Sequence, residues 1–351
     1  VIKSIGYNIT IGKNALKALS SFLKKAHYSS HIIICDENTI QFCLPTLIMS
    51  CPLLKDAEII ELESGEASKS LEFSAHIWQT LIENKADKNS LIINLGGGVV
   101  SDLGGFCAST YKRGIDFINI PTSLLAMADA SVGGKTGIDF AGLKNSIGTF
   151  SQPRAVFIDP GFLKTLPKRH FQNGLAEIFK IALISDKKFW GELKTLDLEK
   201  KTEQIISKSV VLKNNIVLKD PFDKGTRKIL NFGHSIGHAI ESLLLGSGNE
   251  LLHGEAIVIG MIIESHISFQ KKLISKKELD ELTSVLKHTF NAQQIHLLDQ
   301  ISILELLKND KKNLKNKFKF ALVSKIGSCK FDIEVTEVQI KKAFEFYNTI
   351  A

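Results

Sequence analysis

A chain of 351 residues is longer than one ordinary core supports, so two domains are expected. Hydrophobic residues at 44% and charged residues at 23% describe an ordinary globular protein, and no apolar run reaches the roughly 18 residues of a membrane span. The net charge of +7 is scattered, with no basic run interleaved with aromatics, which argues against nucleic acid and suits small anionic substrates.

The first half alternates β-branched runs with helical patterns. HIIICD (31–36), AEIIEL (57–62), LIINLGG (91–97), DFINIPT (116–122) and RAVFIDP (154–160) read as buried parallel strands. LKALSSFLKK, LEFSAHIWQTLIENK and the segment after Gly98 read as the helices between them. This alternation predicts a doubly wound α/β domain over residues 1–160. After Pro160 the pattern becomes helical over 170–184, 202–219, 226–245, 254–272, 276–289 and 302–309. FKFALV (318–323) and CKFDIEV (329–335) predict one late hairpin, so residues 161–351 are expected to form a mainly helical domain.

Five cysteines, Cys35, Cys43, Cys51, Cys107 and Cys329, are odd in number and show no CxxC spacing. That argues against a disulfide framework or a zinc ribbon and for a reducing cytoplasm. No signal-peptide pattern is seen, and a short native stretch is expected to precede Val1.

Eleven of the 25 glycines fall between Gly96 and Gly148, far more than turns alone need in a seventh of the chain. LIINLGGGVVSDLGGF (91–106) runs a strand into Gly96, Gly97 and Gly98 and then into a helix. Such a junction lets backbone approach a pyrophosphate at a helix N-terminus; a tight strand-to-helix turn is the simpler alternative. Arg113, Lys135, Lys144 and Asn145 lie among the same glycines, where they can wrap an oxyanion. GGKTG is not a P-loop, because the first glycine of that motif is missing.

The helical half offers candidates for a metal or acid–base centre. GLAEIFK (174–180) puts Glu177 and Lys180 on one helix face. NFGHSIGHAIE (231–241) does the same for His234 and His238, and LLHGEA (251–256) adds His253 just before another helix. Spacing leaves three readings of the HxxxH pair: two ligands, one ligand with one proton carrier, or hydrogen-bonding histidines at a close helix contact marked by Gly233 and Gly237. The zinc-protease HExxH motif is absent, since Ser235 replaces its glutamate.

Taken in order, SGEASK (64–69), GGGVVSDLGGFCASTYKRGIDFINIPTSLLA (96–126), DASVGGKTGID (129–139), LKNSIG (143–148), FLKTLP (162–167), AEIFK (176–180), RKILNFGHSIGHAIE (227–241), LLHGEA and NDKK (309–312) resemble the 3-dehydroquinate synthase family of sugar phosphate cyclases. The resemblance runs from about Asp36 to the hairpin near Gly327. It implies a Rossmann-like parallel sheet followed by a helical domain, with the active site in the cleft between them, and a cytoplasmic homodimer. It also implies a phosphate-eliminating lyase that converts 3-deoxy-D-arabino-heptulosonate 7-phosphate to 3-dehydroquinate in the shikimate pathway. The route is transient oxidation by catalytic NAD, β-elimination, reduction, ring opening and intramolecular aldol closure. Another cyclase of the same fold, or a metal-dependent polyol dehydrogenase, is the alternative.

The resemblance assigns Zn²⁺, or Co²⁺, to Glu177, His234 and His253, and makes His238 the acid–base residue. NAD contacts are implied for Asp36, Glu66, Lys69, Gly97, Gly98, Ser101, Asp102, Thr122, Ser123, Lys144 and Thr165. Substrate contacts are implied for Arg113 (across a dimer interface), Asp129, Lys135, Asn145, Lys180, Lys213, Arg227, Asn231, His238 and Lys312. Lys135, Arg227, Asn231 and Asp223 join His238 in the catalytic set. Two departures stand out. Asp223, in DPFDKGTR (220–227), replaces a family glutamate and follows Pro221, and PTSLLA keeps the hydroxyl of the usual PTT.

Overall fold

The computed structural model describes residues 1–141, 143–290, 300–309 and 318–350. The chain divides into two compact units: residues 1–171 with 202–222, and residues 172–201 with 223–351. The sequence pattern places the change of texture at residue 160. In the structure the first unit also keeps residues 161–171 and the later helix Thr202–Lys219.

Eleven strands are described. The first unit holds β1 (Ile2–Lys3), β2 (Asn8–Ile11), β3 (His31–Asp36), β4 (Glu58–Leu62), β5 (Leu91–Gly96), β6 (Asp116–Pro121), β7 (Lys135–Phe140), β8 (Leu143–Phe150) and β9 (Ala155–Ile158). The second holds β10 (Phe318–Lys325) and β11 (Ser328–Val335). One seven-stranded sheet has the order β1-β2-β9-β6-β5-β3-β4 and is parallel except for β1 against β2. Its central strands are isoleucine-rich because both faces are covered: Ile32, Ile33, Ile34, Ile92 and Ile93 are all buried. Ile77, Leu81, Leu103 and Phe106 pack on one of those faces.

The order reverses direction between β3 and β5. The chain leaves β3 toward the edge strand β4 and leaves β5 toward β6 on the other side. Crevices at the carboxyl ends of such paired strands are where open α/β sheets receive ligands. Here those ends are Asp36 and the run Gly96–Gly97–Gly98.

The glycine-rich segment after β6 is more ordered than a loop. It forms a wide π-helical turn over Ala126–Ala130 and then the antiparallel hairpin β7–β8. Gly137 and Gly148 face each other there, and a Cβ on Gly148 would fall 2.3 Å from the Thr136 carbonyl oxygen. Glycine in these strands therefore marks close backbone approach.

The second unit is mainly helical. Its principal helices among the described residues are the remainder of Lys168–Ser185, His234–Leu244, His253–Gln270, Lys276–Phe290 and Glu337–Ile350. β10 and β11 form the expected antiparallel hairpin. No helix among the described residues is long and apolar enough to cross a membrane.

Candidate active site

In the second unit, three helices deliver five predicted side chains to one place. Glu177 and Lys180 lie on Lys168–Ser185 and are almost fully buried. The Lys180 ammonium pairs with Glu177 Oε2. Glu177 Oε1 faces His234 Nε2 at 3.6 Å and His253 Nε2 at 3.4 Å. The ligand atoms of His234, His238 and His253 all lie within 4.8 Å of one another. His234 and His253 are each the first residue of a helix, at the terminus whose dipole disfavours an imidazolium.

Electrostatics separates these groups. Burial would raise the Glu177 carboxyl, but Lys180 and His253 together override it and bring it down to about 2. Burial, helped by the Lys180 charge, holds His234 well below the usual imidazole range. Its Nδ1 meets the Phe232 carbonyl at 3.1 Å, which directs Nε2 toward Glu177. Burial opposes a charge on His253, yet the facing carboxylates of Glu177 and Glu241 prevail and push it up to about 9.

The donor set suits a cation. Glu177 Oε1 is buried without a hydrogen-bond partner among the described residues, while two imidazole nitrogens point at it. Two imidazoles and a carboxylate oxygen are ordinary catalytic zinc donors. Glu241 stands behind His253 with Oε2 3.4 Å from Nδ1, the usual carboxylate backing of a metal-bound histidine. Glu241 belongs to no ligand motif in the sequence; its only signal there is its place one turn after His238 in HAIE. Arg227 is buried and Asn231 half-buried, in the turn Thr226–Asn231 that leads into the histidine helix.

In the first unit, several NAD candidates follow the carboxyl ends of parallel strands: Asp36 at β3, Gly97 and Gly98 at β5, and Thr122 and Ser123 at β6. Asp36 Oδ1 accepts from the Thr39 amide at 2.8 Å and so caps the helix Glu37–Phe42. Ser101 Oγ donates to the Gly97 carbonyl, the Thr122 amide donates to the Gly96 carbonyl, and Ser123 Oγ accepts from the Ala126 amide. Gly104 and Gly105 are demanded by packing, since a Cβ at Gly104 would lie 1.9 Å from Asn94 Oδ1. Gly97 and Gly98 are not: a Cβ there would meet only Ser123 Oγ at 3.5 Å and the Ala130 Cβ at 3.4 Å. The bare backbone at the start of the helix Gly98–Thr110 is thus a ledge that a pyrophosphate can occupy.

A charged network lies in the same unit. Lys69 Nζ reaches Asp102 Oδ2 at 2.6 Å and also donates to Asn145 Oδ1. Lys144 pairs with Glu66 at 3.4 Å. Burial works against the Lys69 charge, but Asp102, Glu66 and Asp139 together more than compensate and raise its pKa. Lys213, on Thr202–Lys219, holds Asp129 Oδ1 at 2.8 Å and the Asp129 carbonyl at 2.7 Å. Arg113 is exposed on the turn Tyr111–Arg113, with a left-handed φ of 65°. Lys135 is exposed at the start of β7, and Thr165 donates to the Phe162 carbonyl at 3.3 Å. Lys312 lies outside the described residues.

Two family models cover most of the chain: 3-dehydroquinate synthase N-terminal over residues 59–173 and 3-dehydroquinate synthase C-terminal over residues 174–313. The chain belongs to the 3-dehydroquinate synthase family. It is 37% identical over 343 residues to the 3-dehydroquinate synthase of Parabacteroides distasonis, covering 97% of both chains. Identity to the Alkaliphilus oremlandii 3-dehydroquinate synthase is 43% over 266 residues, covering 74% of this chain and 73% of that one. Among solved structures, 2-deoxy-scyllo-inosose synthase complexed with carbaglucose-6-phosphate, NAD⁺ and Co²⁺ superposes with a TM-score of 0.86 at 25% identity, over 97% of this chain and 96% of that one. The 2-epi-5-epi-valiolone synthase of Streptomyces hygroscopicus, with NAD⁺ and Zn²⁺ bound, gives the same score and identity over 100% and 99%.

Proposed function

We propose that this member of the 3-dehydroquinate synthase family eliminates phosphate from 3-deoxy-D-arabino-heptulosonate 7-phosphate and closes the product ring, acting as a carbon–oxygen lyase with NAD as a catalytic cofactor. The observation that carries the reading is the buried Glu177 oxygen facing His234 and His253 within a chain that both family models span. Glu177, His234 and His253 would hold Zn²⁺ or Co²⁺, which when bound polarises a substrate oxygen and lowers the pKa of its hydroxyl. The Gly97–Gly98 ledge, Asp36, Glu66, Lys69, Ser101, Asp102, Thr122, Ser123, Lys144 and Thr165 would hold NAD, which supplies a reversible hydride acceptor.

The chain's own residues account for the rest. His238, on the same helix face as His234, moves a proton at the substrate carbon and oxygen. Arg227 and Lys213 suit a carboxylate or phosphate, the first by a planar fork and the second as a point charge. Asp129 holds the Lys213 ammonium in place, and Lys180 keeps Glu177 ionised. Asn145 is fixed by Lys69, leaving its amide nitrogen for substrate oxygen. Lys135, Asn231, Asp223, Lys312 and Arg113 complete the set, Arg113 being exposed and suited to a partner protomer's substrate in a homodimer. The polyol dehydrogenase alternative has only the fold in its favour, at 11–14% identity.

The test is phosphate release from 3-deoxy-D-arabino-heptulosonate 7-phosphate by protein supplied with Zn²⁺ and a trace of NAD. Many phosphates per NAD with no accumulation of NADH is the expected result. No release by folded, metal-loaded protein overturns the reading, and release only from a carboxylate-free sugar phosphate moves it to another cyclase.

A further inference from the structure

Glu264 is a fully buried carboxyl group that no step above uses. It sits in the otherwise apolar middle of the helix His253–Gln270, in IGMIIES. Such a group is costly to bury unless hydrogen bonds meet it, and here they come from one source. Oε2 accepts from the Gly233 amide at 2.6 Å and Oε1 from the Ile236 amide at 3.1 Å. Those amides flank His234.

The reason lies at the start of the helix His234–Leu244. The first-turn amides of a helix have no partner within it, and a side chain at the cap normally accepts from the second or third of them. The cap here is Gly233, in the left-handed region at φ 80°, and it offers no side chain. Glu264 supplies the missing acceptor from the neighbouring helix. Its reach depends on Gly260, one turn earlier, where a Cβ would lie 2.0 Å from the Gly233 carbonyl oxygen. The helix that begins with His253 is braced in the same manner, its Gly254 amide donating to the side chain of buried Asn173.

We propose that Glu264 is a positioning residue for the metal centre: it fixes the backbone of Gly233–Ile236 and thereby aims the His234 imidazole at Glu177. The inference rests on the reading of His234 as a metal ligand.

The experiment is Zn²⁺ affinity of the metal-stripped full chain, by competition with a chromophoric chelator, for native protein and E264Q. It is run where circular dichroism shows both fully folded. A second variant, E264D, keeps the carboxyl group but shortens the reach by one methylene. The expected result is affinity weaker by about tenfold or more in the folded variants, as for other residues that orient metal ligands. Co²⁺ absorption bands displaced from those of native protein accompany it. Equal Zn²⁺ affinity in native and folded variant chains overturns the inference while leaving the metal reading intact. No Zn²⁺ binding by native chain overturns both, and failure of both variants to fold assigns Glu264 to the fold alone and overturns the inference too.

Discussion

His234 and His238 stand one helical turn apart, with ring centroids separated by 5.0 Å and ring planes at 77°. Glu177 Oε1 lies 3.6 Å from His234 Nε2. The ligand atoms of both lie within 4.8 Å of each other and of that of His253, and the proposed roles divide the three imidazoles into two ligands and one proton carrier. His234→Gln is expected to lose bound metal, as is protein stripped by a chelator. His238→Gln is expected to keep the metal and lose about 10²–10⁴ in kcat, the usual weight of a positioned acid–base group. Metal content by mass spectrometry alongside kcat separates them, and metal loss from His238→Gln would make His238 a ligand.

Lys69 is buried against Asp102, and breaking such a pair leaves a charge without compensation. Lys69→Met is expected to lower stability by about 3 kcal/mol. The raised Lys69 pKa also sets a sign. The pair's contribution is fully present below the ordinary lysine value and fades as pH climbs through the raised one. Native protein should therefore lose stability on the alkaline side, and Lys69→Met should show a flatter alkaline limb in thermal unfolding against pH. Parallel alkaline limbs would remove Lys69 from the account.

Asp223 has a left-handed φ of 55°, where the short polar side chains of Asp and Asn are tolerated better than longer ones. That is a backbone reason for aspartate at this position. Asp223→Glu should cost no more than about 1 kcal/mol of stability from the backbone. It should change turnover by less than about tenfold. Asp223→Gly keeps the backbone and removes the carboxylate, so a large drop in kcat at unchanged Tm would assign the group to the reaction. Full activity in Asp223→Gly would exclude it.

Arg113 combines exposure with a left-handed φ of 65°, in a turn where Lys112 and Gly114 also have positive φ. Arg113→Ala should lose catalysis far more than melting temperature, and Arg113→Lys should recover little if a planar fork is required. Matched losses of Tm and kcat would point to folding instead.

The isoleucine runs that became β3, β5 and β6 were legible because a strand covered on both faces must be apolar throughout. Helical periodicity likewise found Lys168–Ser185 and His253–Gln270. It could not say that Thr202–Lys219 belongs with the first unit, because an apolar stripe does not name the surface it meets. The hairpin β7–β8 was hidden by its own glycines, which signal a loop until their cross-strand contact is seen. Glu177 and the histidines stood out by residue type and motif. Glu264 did not, since a lone carboxylate in an apolar helix carries no local pattern and its partners lie 28 and 31 residues away.

The contact between Gly260 and Gly233 has a wider meaning for this centre. Main chain rests on main chain there, and a peptide backbone has no rotamers to redistribute. The distance between the two histidine-bearing helices is therefore gauged by covalent geometry, and thermal reshuffling of side chains does not retune it. The same rigidity is an evolutionary lock. A methyl group added at residue 260 would pry open the joint on which the imidazoles are mounted.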